Sequence, residues 1–360
     1  MKRQFTLSLV VVLALVALSA ITAFAQSPVQ QSAEQYFAGG PKTIKAADLF
    51  ANLNDGDASN DPIMVDVRAP EDYANGHIAG SVNIPAKALF TADNLAKLPK
   101  DKAVVVNCYT GQTSGQAVAA LRMMGYDAYS LLYGIPAWGT NEKVTYPFTA
   151  EQSGNYPVSK DAATLEGGNA APAPLGETAE AAAQAYFSGG TKNIKAADLF
   201  ANLNDGDDSN NPVILDFRSP DDYALGHLPG AVNMGIKTAF TTDNLAKLPA
   251  DKQVVAYCYS GQTASQATAG YRMLGYDAYN LGFGMPSWAI VDGVSVPVWD
   301  DSKSGNYPLE TAAAPAADAA AAATPAAPAT LPTTGLPVVA LMLVAGAALT
   351  GAGVTLRKRS

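Results

Sequence analysis

Short runs of consecutive apolar residues alternate with amphipathic segments along most of the chain. The runs at 63–67 and 104–106 are typical of strands that are buried on both faces of a parallel sheet. Residues 45–53 and 114–124 instead place apolar side chains at helical spacing, and Gly125 is a natural helix stop after the second segment. With a further strand at 129–132, the pattern predicts an α/β domain whose mainly parallel sheet is flanked by helices.

This whole pattern occurs twice, at an offset of 150 residues. Residues 36–60 and 186–210 align without a gap, with 21 of 25 positions identical. The same offset pairs Cys108 with Cys258, and a Ser-Gly-Asn-Tyr-Pro motif at 153–157 recurs at 304–308 after one inserted residue. The repeat predicts a tandem duplication of one domain, with copies at 33–157 and 184–308.

Two stretches of biased composition separate these copies from each other and from the end of the chain. Residues 158–183 are rich in Ala, Gly, Pro and Glu, which indicates a linker with a short helix at its Ala-rich end. Residues 309–330 are almost wholly Ala and Pro beyond the first few positions, and such a composition is typical of an extended stalk.

The N-terminus has the three parts of a secretory signal peptide. Lys2 and Arg3 precede an apolar run at 5–21, and a small-x-small site ends at Ala25. The run is short for a membrane span, so we expect residues 1–25 to be removed during export rather than retained as an anchor.

The C-terminus carries a Leu-Pro-Thr-Thr-Gly motif at 331–335, followed by an apolar stretch and a basic tail that ends at Ser360. In this order the three features, over residues 331–360, resemble the sorting signal of Gram-positive surface proteins, which implies a sortase partner and attachment to the cell wall through Thr334. The alternative is a retained transmembrane helix with its basic cluster in the cytoplasm. Either interpretation predicts an exported protein that is held at the cell surface.

Charge excludes one class of partner. Charged residues make up 15% of the chain and the formal net charge is −9, so the clustered Lys and Arg that nucleic acid requires are missing. No spacing of His, Cys, Asp and Glu is typical of a metal site, and no glycine-rich phosphate loop is present, so we expect neither a metal nor a cofactor.

Each repeat places its one cysteine directly after a buried strand and before a helix. Backbone N–H groups of the intervening loop, with the helix N-terminus behind them, can hold an anion and lower the pKa of a thiol. Cys108 and Cys258 are therefore the predicted nucleophiles. The loop residues predicted to bind a persulfide or substrate are Tyr109, Thr110, Gly111, Gln112, Thr113 and Ser114, with Tyr259, Ser260, Gly261, Gln262, Thr263 and Ala264 in the second repeat.

Several ordered motifs around these loops resemble the rhodanese family of sulfurtransferases. In the first repeat the motifs are Asp-Val-Arg at 66–68, Gly-His-Ile-Ala-Gly-Ser-Val-Asn at 76–83 and Gly-Ile-Pro-Ala-Trp at 134–138, and close variants recur in the second. The resemblance implies two tandem rhodanese-like domains and transfer of sulfane sulfur through a cysteine persulfide to a thiol acceptor. It also implies structural roles for His77 and His227, and for the Asp66–Arg68 and Asp216–Arg218 pairs.

The sequence departs from many active relatives at one point, because neither cysteine loop contains Arg or Lys. Attraction of dianionic thiosulfate is weakened by this loss, which favours polysulfide or a persulfide as the donor. A rhodanese module that binds or senses persulfides or proteins without catalysis is the main alternative. The related tyrosine phosphatases need an Arg at the end of a longer loop, where Ser114 and Ala264 stand, so phosphatase activity is not expected.

Two other interpretations of the cysteines remain at the sequence level. A buried cysteine is often only a small apolar side chain. A disulfide between Cys108 and Cys258 is also conceivable in an exported protein, but it requires the two equivalent loops to face each other closely.

Overall fold

A computed structural model describes residues 26–294 and 298–311. The predicted signal peptide, most of the stalk, and the sorting signal with Thr334 lie outside these residues. Within the described residues, no helix is both long and apolar enough to span a bilayer.

The first repeat alternates strands and helices as the hydrophobic pattern predicts. The helix at 46–53 and the strand at 63–66 agree with the expected positions to within one residue. Its elements are α1 (Pro28–Ala38), β1 (Thr43–Ile44), α2 (Ala46–Leu53), β2 (Ile63–Asp66), α3 (Pro70–Ala74), β3 (Val82–Asn83), α4 (Ala92–Leu95), β4 (Val104–Asn107), α5 (Gln112–Met123), β5 (Ala128–Leu131) and α6 (Ile135–Trp138), followed by a short 3-10 turn (Ala150–Gln152).

The second repeat has the same elements in the same order. Its first helix begins inside the Ala-rich end of the predicted linker, as expected. The elements are α7 (Ala179–Ser188), β6 (Asn193–Ile194), α8 (Ala196–Leu203), β7 (Val213–Asp216), α9 (Pro220–Leu225), β8 (Val232–Asn233), α10 (Thr242–Leu245), β9 (Val254–Tyr257), α11 (Gln262–Met273), β10 (Ala278–Leu281) and α12 (Met285–Trp288), followed by a 3-10 turn (Asp301–Lys303).

Each repeat builds a five-stranded sheet in which all pairings are parallel. The strand orders are β1-β5-β4-β2-β3 and β6-β10-β9-β7-β8. The cysteine-bearing strands β4 and β9 therefore lie at the centre of their sheets, where every residue of both strands is buried. Because ligands of open parallel sheets bind at the carboxyl ends of the strands, this order places both cysteines at binding edges.

The two repeats share an apolar core at their junction. Helices α5 and α11, which follow the two cysteines, pack directly against each other. A Cβ added at Gly115 would lie 2.3 Å from the Ser265 hydroxyl, so glycine is what lets the two helices approach. Buried side chains from both repeats consequently form a single apolar cluster around this junction.

The first helix of each repeat adds a reciprocal contact across the junction. Phe37 of α1 stacks on Phe240 of the second repeat with ring centroids 4.0 Å apart, and Phe187 of α7 packs on Phe90 of the first repeat at 4.2 Å. The preceding tyrosines, Tyr36 and Tyr186, donate hydrogen bonds to glutamines of α11 and α5. The Tyr-Phe pairs at 36–37 and 186–187 belong to the most nearly identical part of the repeat, so duplication preserved both halves of the contact.

The Ser-Gly-Asn-Tyr-Pro tails are exchanged between the repeats. Tyr156, in the tail of the first repeat, stacks on Phe200 of the second at 4.2 Å, and Trp288 donates its indole N–H to Pro157 at 2.8 Å. The tail of the second repeat returns to the first in the same way, with Trp138 donating to Pro308 at 2.9 Å. Each repeat is thus completed in space by a segment that the sequence assigns to the other.

Candidate functional site

The Cys108 loop forms a ring of donors around the thiol. Strand β4 ends one residue before Cys108, and helix α5 begins at Gln112, two residues earlier than the hydrophobic pattern predicts. The backbone N–H groups of Gly111 and Ser114 point at Cys108 Sγ, with nitrogen–sulfur distances of 3.2 and 3.3 Å. Gly111 has φ of +83°, a left-handed conformation that glycine adopts without strain and that turns its N–H inward. The loop can therefore stabilise negative charge on a thiolate or a persulfide.

A side-chain hydroxyl adds a further group at this site. Ser114 Oγ lies 3.3 Å from Cys108 Sγ, and on its other side it lies 2.8 Å from Ser130 Oγ. Ser130 is also within 3.3 Å of the Gly111 carbonyl oxygen. A neutral thiol can donate into this chain of hydroxyls, whereas a thiolate can accept from Ser114. The two hydroxyls can thus hydrogen-bond with Cys108 whether it is a thiol or a thiolate.

The Cys258 loop keeps the same backbone but lacks the hydroxyls. Ala264 replaces the serine, and its N–H lies 3.5 Å from Cys258 Sγ. Burial raises the pKa of the Cys258 thiol, while backbone N–H groups of four loop residues oppose that rise. Asn280 stands where the first repeat has Ser130, and its amide is engaged with Gln112 and Asn193 instead.

The Gly-x-Pro-x-Trp motifs hold both cysteine loops from behind. Ile135 N–H donates to the Cys108 carbonyl at 2.8 Å, and Met285 N–H donates to the Cys258 carbonyl at 2.9 Å. The preceding glycines, Gly134 and Gly284, have φ of +70° and +65°, and a Cβ at either would lie 2.4 Å from the cysteine carbonyl oxygen. Only glycine fits this close approach of two backbones, so the motif fixes the position of the loop.

The remaining predicted loop residues point in different directions. Tyr109 is 40% exposed, and its hydroxyl donates to Asp72 at 2.5 Å, which ties the loop to α3. Burial and the neighbouring Asp72 carboxylate raise the pKa of Tyr109 to about 12, so it stays protonated near neutral pH. Tyr259 makes the corresponding hydrogen bond to Asp222. These two tyrosines tie the cysteine loops to α3 and α9.

The motifs at 66–68 and 216–218 form buried ion pairs, as their predicted structural role requires. Arg68 and Asp66 are 2.6 Å apart and almost fully buried, and the Arg68 guanidinium also donates to the Gly76 carbonyl at 2.6 Å. His77 is buried as well, stacks on Tyr73 and lies within 2.9 Å of the Tyr73 carbonyl through Nδ1. The same pairs recur in the second repeat, where Arg218 bonds Asp216 and His227 stacks on Tyr223.

The two cysteine loops face each other across the junction, which the sequence did not lead us to expect. The Gln262 side-chain oxygen accepts from the Tyr133 N–H of the first repeat at 3.0 Å, and the Gln112 oxygen accepts from the Phe283 N–H of the second at 3.1 Å. Despite this proximity both thiols are free. Of the predicted loop residues, Gln112 and Gln262 therefore link the two sites.

An aromatic cluster covers the junction beside both loops. Tyr146 stacks on Trp299 with centroids 4.8 Å apart, and Phe148 stacks on Phe283 at 4.6 Å. Tyr133 meets both Tyr146 and Trp299 edge-on. Cys108 is only 1% exposed and Cys258 2% exposed, so a donor must reach sulfurs that are almost fully buried.

Comparison with known proteins assigns the family. The model of the Rhodanese-like domain matches residues 45–141 and 196–290, just over half of the chain. The chain belongs to the rhodanese-like family. Within the described residues no group of His, Cys, Asp and Glu could hold a metal ion.

Curated relatives of this rhodanese-like chain include several sulfurtransferases. Thiosulfate sulfurtransferase GlpE of Stutzerimonas stutzeri is 37% identical over 25% of this chain and 77% of its own length. Thiosulfate sulfurtransferase PspE of Escherichia coli is 42% identical over 17% of this chain and 60% of its own. The probable adenylyltransferase/sulfurtransferase MoeZ of Mycobacterium tuberculosis is 41% identical over 21% of this chain, which spans only 19% of that protein.

Among solved structures, a rhodanese-related protein from Thermoplasma volcanium is 33% identical. It covers 26% of this chain and 86% of its own, with a TM-score of 0.23.

The sequence did not predict which residues of each rhodanese-like repeat contact the cysteine loop of the other. Tyr133 and Phe283 precede the glycines of the Gly-x-Pro-x-Trp motifs and have φ of +64° and +63°, a conformation rare for aromatic residues. The recurrence of an aromatic residue before that glycine was a visible signal. Its meaning was not, because only the packing of the repeats shows which loop each ring approaches.

Proposed function

We propose that this protein is a rhodanese-type sulfurtransferase that carries sulfane sulfur as a persulfide on Cys108 and Cys258. The observation that carries the proposal is the pair of backbone N–H groups that donate to Cys108 Sγ, at 3.2 and 3.3 Å, at the end of a central parallel strand. These donors can stabilise an anionic sulfur after transfer as well as before it. Relatives that are named sulfurtransferases support the same chemistry.

The transfer consists of two balanced displacements. The Cys108 thiolate attacks the outer sulfur of a donor, that sulfur's bond to the rest of the donor breaks, and the donor leaves as sulfite, a shortened polysulfide or a thiolate. A thiol acceptor then attacks the outer sulfur of the cysteine persulfide and releases the Cys108 thiolate. No external oxidant or reductant is consumed, because each S–S bond formed replaces one that is broken.

We further propose that this reaction takes place outside the cytoplasm, at the cell surface. The N-terminal signal pattern at 1–25 and the sorting signal at 331–360 support this placement, with a sortase as partner and Thr334 as the attachment point. The alternative anchor, a retained C-terminal helix in the membrane, leaves the rhodanese-like repeats on the same side.

Intact-protein mass spectrometry tests the sulfur chemistry. Reduced, folded protein is incubated with thiosulfate or polysulfide, and we expect a gain of about 32 Da for each reactive cysteine. Cys108→Ser and Cys258→Ser each remove one gain, and the double variant removes both. If the folded protein gains no mass with any donor, the proposal is wrong.

A non-catalytic module that binds persulfides or partner proteins is the second candidate. The burial of both thiols to 1–2% exposure favours it, together with the missing loop cation. Under this alternative the double Cys→Ser variant keeps its binding partner and no sulfur is passed to a thiol acceptor. Transfer of labelled sulfur from persulfidated protein to a small thiol distinguishes the two functions.

A further inference from the structure

Each cysteine loop contacts the other through a glycine and a glutamine. Gly111, whose N–H donates to Cys108 Sγ at 3.2 Å, is covered by the Gln262 side chain, since a Cβ added at Gly111 would lie 2.3 Å from the Gln262 oxygen. Gly261 is covered in the same way by Gln112, whose oxygen would lie 2.8 Å from an added Cβ. In each direction, a single glutamine side chain therefore bridges the two cysteine loops.

The charge of Cys258 acts on a residue of the opposite repeat. Burial raises the pKa of Tyr133 to about 12, and the charges of Asp300 and Cys258 contribute to the rise. Tyr133 belongs to the first repeat and precedes Gly134, whose backbone lies against the Cys108 carbonyl. The field of the second thiol thus extends to the border of the first cysteine loop.

Tyr146 responds to both cysteines. Burial raises its pKa, and the neighbouring Tyr133, Cys108 and Cys258 raise it further. Its ring centroid lies 6.1 Å from those of both Tyr133 and Phe283, the two residues that precede the glycines behind the cysteine loops. The fields of the two sulfurs therefore overlap at the junction of the repeats.

The surroundings of the two thiols screen charge poorly. Both thiols are at most 2% exposed, and the buried arginines and carboxylates of the described residues, at 66–68 and 216–218, neutralise each other in ion pairs. Lys195, which lines an adjoining cavity, and Asp300 are exposed, so water screens their charges. Like charges on the two buried sulfurs consequently repel each other more strongly than they would at the surface.

We propose that this repulsion couples the two sites, so that an anionic persulfide on one cysteine slows the loading of the other. The inference rests on the sulfurtransferase function proposed above. A persulfide is more acidic than a thiol, so it keeps its negative charge at neutral pH. The second cysteine must release its proton to solvent before it attacks the outer sulfur of a donor, and its thiolate adds a second negative charge to the junction. The protein therefore favours a state with one sulfane sulfur, which it passes on before the second site is loaded.

A permanent charge at one cysteine position tests the coupling without sulfur transfer. Cys108→Asp and its isosteric neutral counterpart Cys108→Asn, both in the full chain, leave Cys258 as the one thiol. Iodoacetamide is neutral, so its rate of reaction reports the thiolate fraction of Cys258. The rates are measured from neutral to alkaline pH, so that the new carboxylate is ionised. Below the alkaline plateau, we expect the folded Asp variant to react about five- to tenfold more slowly than the Asn variant, and the two to react equally in urea.

Loading of the parent protein gives a second measurement, which needs no introduced charge. Intact masses during incubation with thiosulfate or polysulfide show how fast chains with one added sulfur gain another. We expect this second gain to be about five- to tenfold slower than the gain in the slower of the two variants with a single cysteine, Cys108→Ser and Cys258→Ser. These variants are the matched controls, because each loads its one thiol beside a neutral hydroxyl.

The two measurements separate the coupling from the sulfur chemistry. Equal alkylation rates in the folded Asp and Asn variants, or a second gain as fast as in the single-cysteine variants, would overturn the coupling and leave persulfide formation intact. If Cys108→Asp does not fold, the loading rates decide alone. Different alkylation rates without any mass gain from either donor would support the coupling of the thiols and defeat the proposed function.

Discussion

The two cysteine sites have the same backbone and different side chains behind the sulfur. Cys108 has Ser114 within 3.3 Å and a second hydroxyl, Ser130, beyond it. Cys258 has Ala264 in place of the first hydroxyl, and burial raises the pKa of its thiol. The fold thus supplies a ring of backbone donors to both sulfurs, and the side chains decide how well each carries charge.

A second difference concerns what each loop receives from the opposite repeat. The Gln112 oxygen accepts from both the Phe283 N–H and the Asn280 amide, whereas in the described residues the Gln262 oxygen accepts only from the Tyr133 N–H. The backbone at the junction is therefore nearly symmetric, whereas the hydrogen bonds to the two glutamine side chains differ. We infer that the two sites fold together and react at different rates.

The largest expected effect is on this junction. Gln112→Ala leaves the buried Asn280 amide and the part-buried Phe283 N–H without that acceptor, so we expect it to lower the free energy of unfolding by about 2–3 kcal/mol, and Gln262→Ala by about 1–2 kcal/mol. Urea denaturation followed by tryptophan fluorescence measures both, with the exposed Gln35→Ala as the control. Equal losses of unfolding free energy in the Gln112 and Gln262 variants would show that the difference in hydrogen bonding does not affect stability.

The next expected effect is on reactivity at Cys108. Removing the Ser114 hydroxyl in Ser114→Ala takes away a hydrogen bond to a charged sulfur, which corresponds to about a tenfold slower gain of sulfane sulfur at neutral pH. The reciprocal Ala264→Ser should accelerate Cys258 by a smaller factor, about threefold, because Asn280 replaces the second hydroxyl. Rates come from mass spectrometry in backgrounds with a single cysteine. An unchanged rate in Ser114→Ala would show that the Ser114 hydroxyl does not cause a difference in reactivity between the two sites.

The smallest expected effect is a pH shift at Cys258. Because burial raises its pKa, the folded protein holds the proton at a pH where an exposed thiol, with a pKa of about 8.5, has begun to lose it. The alkylation rate of the Cys108→Ser variant with iodoacetamide should therefore reach half of its plateau at a higher pH when folded than in urea. A folded midpoint at or below the urea value would mean that the backbone donors outweigh burial.

Much of each repeat can be predicted from the sequence because the signals are local. The apolar run at 104–106, the cysteine after it and the helical spacing beyond predict the strand, the loop and the helix. The prediction placed the helix start at Ser114, whereas it begins at Gln112, because polar residues in a first turn carry no apolar period. The structural role of the Asp66–Arg68 pair also followed from a motif, and it is confirmed by their buried ion pair.

The sequence by itself determined two α/β repeats, a thiol at the end of a buried strand in each, and the turn that surrounds it. Strand burial, loop composition and helix spacing fix these features within about ten residues. Only the tertiary structure decided that the loops face each other and that the tails exchange. These contacts join residues that lie dozens to more than a hundred positions apart in the sequence. Their energy comes from the packing of helices of one repeat against helices of the other.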